Sequence, residues 1–165
     1  MLLGSVTAKV LHDTPVPVWT GVHSEKIAAH SPDRWKHALC ALGDDARDLP
    51  TLRWAAEFAK EQKLDVRLVH AVTGSEGCEK DNPSLSEFLF GVARERIDKL
   101  QAEAGTDFEV CLHRGKVSSV VCYAAVGHVS DIVIIGRGVI QEPFGRFRSG
   151  VYDIVREAPC PVISV

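Results

Sequence analysis

The segment Ser130-Asp131-Ile132-Val133-Ile134-Ile135-Gly136-Arg137-Gly138-Val139 decides the fold. Ile132 to Ile135 are consecutive β-branched residues that run straight into a Gly-x-Gly turn. A short, wholly apolar run ended by glycine suits a strand covered on both faces, as in a parallel sheet between helices. Glycines at its carboxyl end let the backbone approach a ligand closely. Open α/β sheets bind ligands outside the carboxyl ends of their strands, where the strand order reverses, so any small-molecule site is expected here.

Working outward, the pattern is regular from Trp35 onward. His37 to Leu42 reads as a strand ended by Gly43, with Asp44 and Asp45 in the turn and Asp48 placed to cap a helix. Leu52, Ala55, Ala56 and Ala59 give that helix one apolar stripe. Leu64 to Val72 alternates and then turns fully apolar, which predicts a second strand. Ser84-Leu85-Ser86-Glu87 has the form of a capping box for a helix that Leu89, Ala93, Ile97, Leu100 and Ala104 continue and Gly105 ends. A third strand is expected over 107–112, and a helix from Val117 to near Gly127 with Val120, Val121, Ala124 and Ala125 inward. After the strand at 131–135 and the loop Gly136 to Arg148 come a helix, Ser149 to Glu157, and a strand, Pro161 to Val165. Strands alternating with helices predict a doubly wound parallel sheet with right-handed crossovers.

The totals agree with one domain: 165 residues, 45% hydrophobic and 25% charged. A net charge of -3 calls for no nucleic-acid partner. No apolar run reaches the length of a membrane span, and the start lacks the basic stretch of a signal peptide, so the cytoplasm is the expected location. The cysteines Cys40, Cys78, Cys111, Cys122 and Cys160 are scattered and odd in number, which reads as reduced thiols. All but Cys78 lie in apolar stretches and are expected in the core. His23, His30 and His37 lack metal-ligand spacing and read as solvated residues; no metal is expected.

The two ends of the chain repeat each other. Ser5 to Val18 lies without gaps over Ser149 to Val162 at an offset of 144 residues, and Ser, Pro, Pro and Val coincide. Both copies read as a helix followed by a Pro-x-Pro strand. Residues 4–12 are expected to be helical, with Val6 and Val10 on the apolar face, and Pro15 to Trp19 extended. Residues 1–20 therefore read as the last helix and strand of a preceding copy, 21–34 as a linker, and 35–165 as the complete domain.

Leu68-Val69-His70-Ala71-Val72, Val129 to Gly136 and, above all, Ser149 through Pro159-Cys160-Pro161-Val162-Ile163-Ser164-Val165 resemble the universal stress protein family. The resemblance covers nearly the whole chain. It implies a Rossmann-like five-stranded sheet of order 3-2-1-4-5 and a binding or regulatory role in the stress response, not an enzyme. Members that bind ATP carry Asp at the end of the first strand, a Gly-x-x-Gly loop, and Gly-Ser or Gly-Thr at the last helix. Here Gly43 holds the first position with Asp44 next, the loop reads Gly136-Arg137-Gly138, and Arg148-Ser149-Gly150 replaces the pair, which Gly4-Ser5 keeps. The candidate nucleotide site is thus Gly43, Asp44, Val72, Gly136, Arg137, Gly138, Ser149 and Gly150, with ATP the implied ligand and Arg146 and Arg148 as further cations.

Competing readings stand beside these. Asp44 and Asp45 suit a turn as well as a ribose. His70, among apolar residues, reads as a core histidine with its polar needs met. His113-Arg114-Gly115-Lys116 is a basic turn that reaches a phosphate or simply faces water, and Trp19, Trp35 and Trp54 read as packing residues. The alternative function is a ligand-free dimerisation module acting through its edge strand. A homodimer is expected through the C-terminal strand and the N-terminal segment. Pro15 to Trp19 covers that edge within the chain or, by preference, crosses to a second chain as a swap.

Overall fold

The computed structural model describes residues 9–11, 13–21, 32–43, 48–73, 83–137 and 149–165. The expectations for residues 4–8, Asp44, Asp45, Cys78, Gly138, Arg146 and Arg148, and for His23 and His30, fall outside them.

The described strands are β1 (Val18–Thr20), β2 (His37–Leu42), β3 (Asp65–Val72), β4 (Glu109–Arg114), β5 (Ile132–Ile135) and β6 (Val162–Ser164). The helices are α1 (Asp48–Gln62), α2 (Pro83–Ala104), α3 (Val117–Gly127) and α4 (Ser149–Glu157), with a 3-10 turn at Pro32–Arg34. The sheet order is β1-β6-β5-β2-β3-β4. From β2 onward all pairings are parallel, and the order is the expected 3-2-1-4-5. β1 adds an antiparallel strand at the β6 edge of the same chain.

Each strand feeds two cores because successive side chains point to opposite faces. Leu39, Val133, Ile135 and Val162 pack with α3, α4 and Leu11 on one face. Ala38, Cys40, Leu42, Ile132, Ile134 and Ile163 pack with Leu52, Ala55, Ala59 and Ile97 on the other. The all-apolar run of β5 is buried throughout, since it has a helical layer on both sides.

Two capping devices pin this frame. Asp131 accepts hydrogen bonds from the N–H groups of Lys36 (2.7 Å) and His37 (3.0 Å), tying the starts of β2 and β5 together. Gln101 accepts from the N–H of Phe108 (2.6 Å) and donates to the Phe108 carbonyl (3.1 Å), which fixes the approach to β4. The turn between them is made at Gly105, with φ of 70°, the left-handed conformation that ends helices.

Several sequence expectations are corrected. α2 begins at Pro83, so Ser84 lies inside the first turn and does not cap it; proline suits a first helical position because its missing N–H would have no helical partner. β4 runs two residues later than expected, and β1 starts at Val18, beyond Pro17, where the N–H groups needed for pairing resume. Among the described residues of the N-terminal segment Leu11, 4% exposed, is the buried one, while Val10 is 42% exposed. Cys111 and Cys122 are half-buried, whereas Cys40 and Cys160 are core residues. Burial alone pushes the Cys40 thiol up to about 12, and burial chiefly does the same at Cys160.

Among the described residues, no helix is long and apolar enough to cross a membrane.

Candidate functional site

The strand order reverses between β2 and β5. Ala41 lies beside Ile135 in the parallel register, so the chains leave the sheet side by side, through Leu42-Gly43 on one strand and Gly136-Arg137 on the other. Val72, buried, ends β3 on the far side of β2. Ser149 and Gly150 open α4, whose N-terminus faces the same end of the sheet because a crossover helix runs antiparallel to its strands. The fold therefore brings Gly43, Val72, Gly136, Arg137, Ser149 and Gly150 to one end of the sheet.

The local chemistry differs from a simple open cradle. The N–H of Gly43 is taken by the Asp48 carboxylate at 2.7 Å, and the other oxygen of Asp48 accepts from the Arg96 guanidinium. Asp48, 5% exposed, thus joins β2 to α2, and its side chain is turned back toward Gly43 instead of capping α1. A carboxylate buried this far is tolerated because both a cation and an N–H satisfy it. The N–H of Arg137 is likewise committed, to the Val165 carbonyl at 2.8 Å.

Gly136 is required by its neighbour. A Cβ there would lie 2.6 Å from Thr51 Oγ1 of α1, a buried residue. Gly150 is different: among the described residues, nothing lies within 4 Å of where its Cβ would be.

Arg137 goes elsewhere than sequence suggested. Its guanidinium donates to the carbonyls of Leu11, Thr14 and Val16 (2.6 Å for Val16) and so clamps the N-terminal segment. Burial pulls its pKa below the ordinary arginine range. The basic turn is also engaged. Lys116 donates to Asp153 at 2.6 Å, a bond that holds the Asp153 carboxyl below its usual range, and Arg114 donates to Ser86 and lies over the Phe90 ring at 5.8 Å. His70 is 4% exposed and its Nδ1 lies 3.1 Å from the Leu42 carbonyl, so the core reading holds. Trp19 meets Trp35 edge-on at 5.3 Å, and Trp54 stacks on Phe58 at 4.9 Å.

Sequence reasoning missed Thr51 and Arg96. Thr51 sits one position before the apolar stripe of α1, a weak signal that it faces inward. Arg96 carries none: its partner is 48 residues away.

Among the described residues, what this end of the sheet offers a ligand is the N-terminus of α4, whose first-turn N–H groups have no partner within the helix. Such a terminus is suited to an anion.

A model of the universal stress protein family matches residues 34–165. Among solved structures, a protein of Pseudomonas aeruginosa UCBPP-PA14 ascribed to the universal stress proteins aligns with a TM-score of 0.73 at 17% identity, covering 99% of this chain and 57% of its own. This chain thus spans little more than half the length of that relative. A universal stress protein in complex with cAMP aligns at 0.58 and 16% identity, over 79% of this chain and 96% of its own. One from Archaeoglobus fulgidus in complex with dAMP aligns at 0.56 and 19%, over 79% and 97%. Among curated protein sequences, nothing matches the chain. At such identities the structures show a shared fold. The family model, covering most of the chain, shows more: the chain belongs to the universal stress protein family.

Proposed function

We propose that this protein is a non-catalytic regulatory module of the stress response that binds an adenine nucleotide, ATP foremost, at the β2/β5 reversal. The observation that carries the reading is the convergence of Gly43 and Gly136 at adjacent strand ends with the first turn of α4 at Gly150, where no atom of the described residues would meet a Cβ. Structural relatives solved with cAMP and dAMP support it. The phosphates belong at the α4 N-terminus, where N–H groups and the helix dipole favour negative charge. The base belongs toward Val72 and Gly43.

Denaturing protein purified without added nucleotide and identifying what it releases tests this reading directly. Titration of the stripped protein with ATP is expected to give roughly micromolar affinity. Gly150→Asp is expected to weaken it more than about tenfold by setting a carboxylate where the phosphates lie, while leaving folding stability equal or slightly higher, because an acidic group suits a helix N-terminus. No ADP should accumulate on incubation with ATP.

One observation favours a second reading, an interaction module without a ligand. The Gly43 and Arg137 N–H groups and the Arg137 guanidinium all have partners within the chain. Protein that carries no nucleotide and ignores millimolar ATP would establish that reading in place of the first.

A further inference from the structure

The two edges of the sheet differ. The β6 edge is covered by β1 of the same chain, whereas β4 has one neighbour among the described strands, β3. An edge strand offers a row of backbone donors and acceptors to any strand laid beside it, and proteins deter such pairing with proline or lysine. The strand Glu109-Val110-Cys111-Leu112-His113-Arg114 contains neither.

Its side chains alternate between two faces. Val110 and Leu112 pack against the core that α1 and α2 help to form. Cys111 and His113 point to the α3 side. Cys111 Sγ lies 3.2 Å from His128 Nε2, and His113 meets Tyr123 edge-on at 5.6 Å. Glu109 shares that face and holds Arg67 Nε at 3.0 Å. Beside them, on α3 and the turn after it, Tyr123, Val126 and Val129 are exposed. Val129 has a φ of 50°, a left-handed conformation that strains a β-branched residue and in which glycine is usual. Within the described residues its side chain gains little burial for that strain.

Laid antiparallel on a copy of itself, β4 has one register that matches like with like. With Cys111 on a two-fold axis, Cys111 faces Cys111, while Val110 faces Leu112 and Glu109 faces His113 twice each. Apolar side chains then meet on the α2 side, and a carboxylate meets an imidazole N–H on the α3 side. Moving the axis by one residue either way sets a charged group against an uncharged one, Arg114 against Val110 or Glu109 against Cys111.

We infer that the β4 edge is a docking surface for a second copy of this chain, paired antiparallel through that copy's β4 about Cys111. The joined sheet carries both α3 helices on one face, so Tyr123, Val126 and Val129 of each chain gain a surface to cover. The inference rests on the composition and register of β4. It is independent of the nucleotide reading, which concerns the ends of β2 and β5.

Mass in solution by light scattering, at tens of micromolar full-length protein under reducing conditions, is the first test. A dimer is expected. His113→Glu sets a carboxylate opposite Glu109 twice and should raise the dissociation constant of the dimer more than about tenfold. Adding Glu109→Lys to that variant puts opposite charges face to face and should restore the dimer, a rescue that damage to the fold would not give. A cross-link through the native thiol is the second test. In a chain whose Cys78 and Cys122 are replaced by serine, diamide takes one hydrogen from each of two Cys111 thiols as their sulfurs join, and is itself reduced to the hydrazine. A disulfide-linked dimer should result, because residues opposite one another on antiparallel strands lie within bridging distance. Cys111→Ser should abolish it. A monomer at these concentrations overturns the proposal, whatever other molecule the edge takes. So does a dimer that His113→Glu leaves intact or that Cys111 fails to cross-link, the mark of pairing through another surface. Where His113→Glu fails to fold, the presence or absence of the Cys111 cross-link decides.

Discussion

Gly136 shows how one missing side chain holds two elements together. The strand end approaches α1 so closely that a methyl group would meet Thr51 Oγ1 at 2.6 Å. Gly136→Ala is expected to cost about 1–3 kcal/mol by overpacking. In a Gly136→Ala, Thr51→Ala double variant the loss should be smaller than the sum of the two single losses, because the clashing hydroxyl is gone. Urea unfolding of the four proteins checks this; additive losses would mean that Thr51 is not the obstacle. Gly150 has no such neighbour among the described residues.

At the scale of elements, the C-terminus of α3 is joined to the sheet by a titratable contact. His128 Nδ1 accepts from the Arg67 guanidinium, and Nε2, which then carries the proton, lies 3.2 Å from Cys111 Sγ. Burial first, and the Arg67 charge second, lower the His128 pKa from 6.5; Glu109 opposes them and His113 adds to them. Cys111, half-buried, is pushed upward by its own burial and then by Glu109. A histidine lowered by folding binds its proton more readily unfolded, so its contribution is full above pH 6.5 and is lost as pH falls below that value. The melting temperature of the unaltered protein should therefore drop more between pH 7 and pH 5 than that of His128→Gln. Equal slopes would remove His128 from the acid response.

For the molecule as a whole, the N-terminal segment is part of the domain it precedes. Leu11 enters the same core cluster as Ile154 and Val155, and Arg137 holds the carbonyls that follow it. Leu11→Ala should lower global stability by about 2–3 kcal/mol in a single unfolding transition, the cost of an emptied core position. An early, separate transition for the N-terminal segment would show instead that it unfolds independently of the sheet.

Local periodicity and turn chemistry determined a good deal by themselves. The buried run of β5, the stripe of α1, the turns at Gly105 and Gly115 and the repeat of the two ends were legible because each is a property of neighbouring residues. Together they sufficed for the alternation of strands and helices, and the resemblance they carry implied the strand order and the family that were found. Only the tertiary structure decided what the site residues do. Arg137 reads as a phosphate ligand in sequence but is held by carbonyls 121 residues or more away, and Asp48 reads as a helix cap but pairs with Arg96. The register of β1 on β6 was likewise invisible beforehand. The physical reason is one of range: periodicity records which face of an element is apolar, whereas a polar partner is chosen by whatever the packing of distant elements brings within about 3 Å.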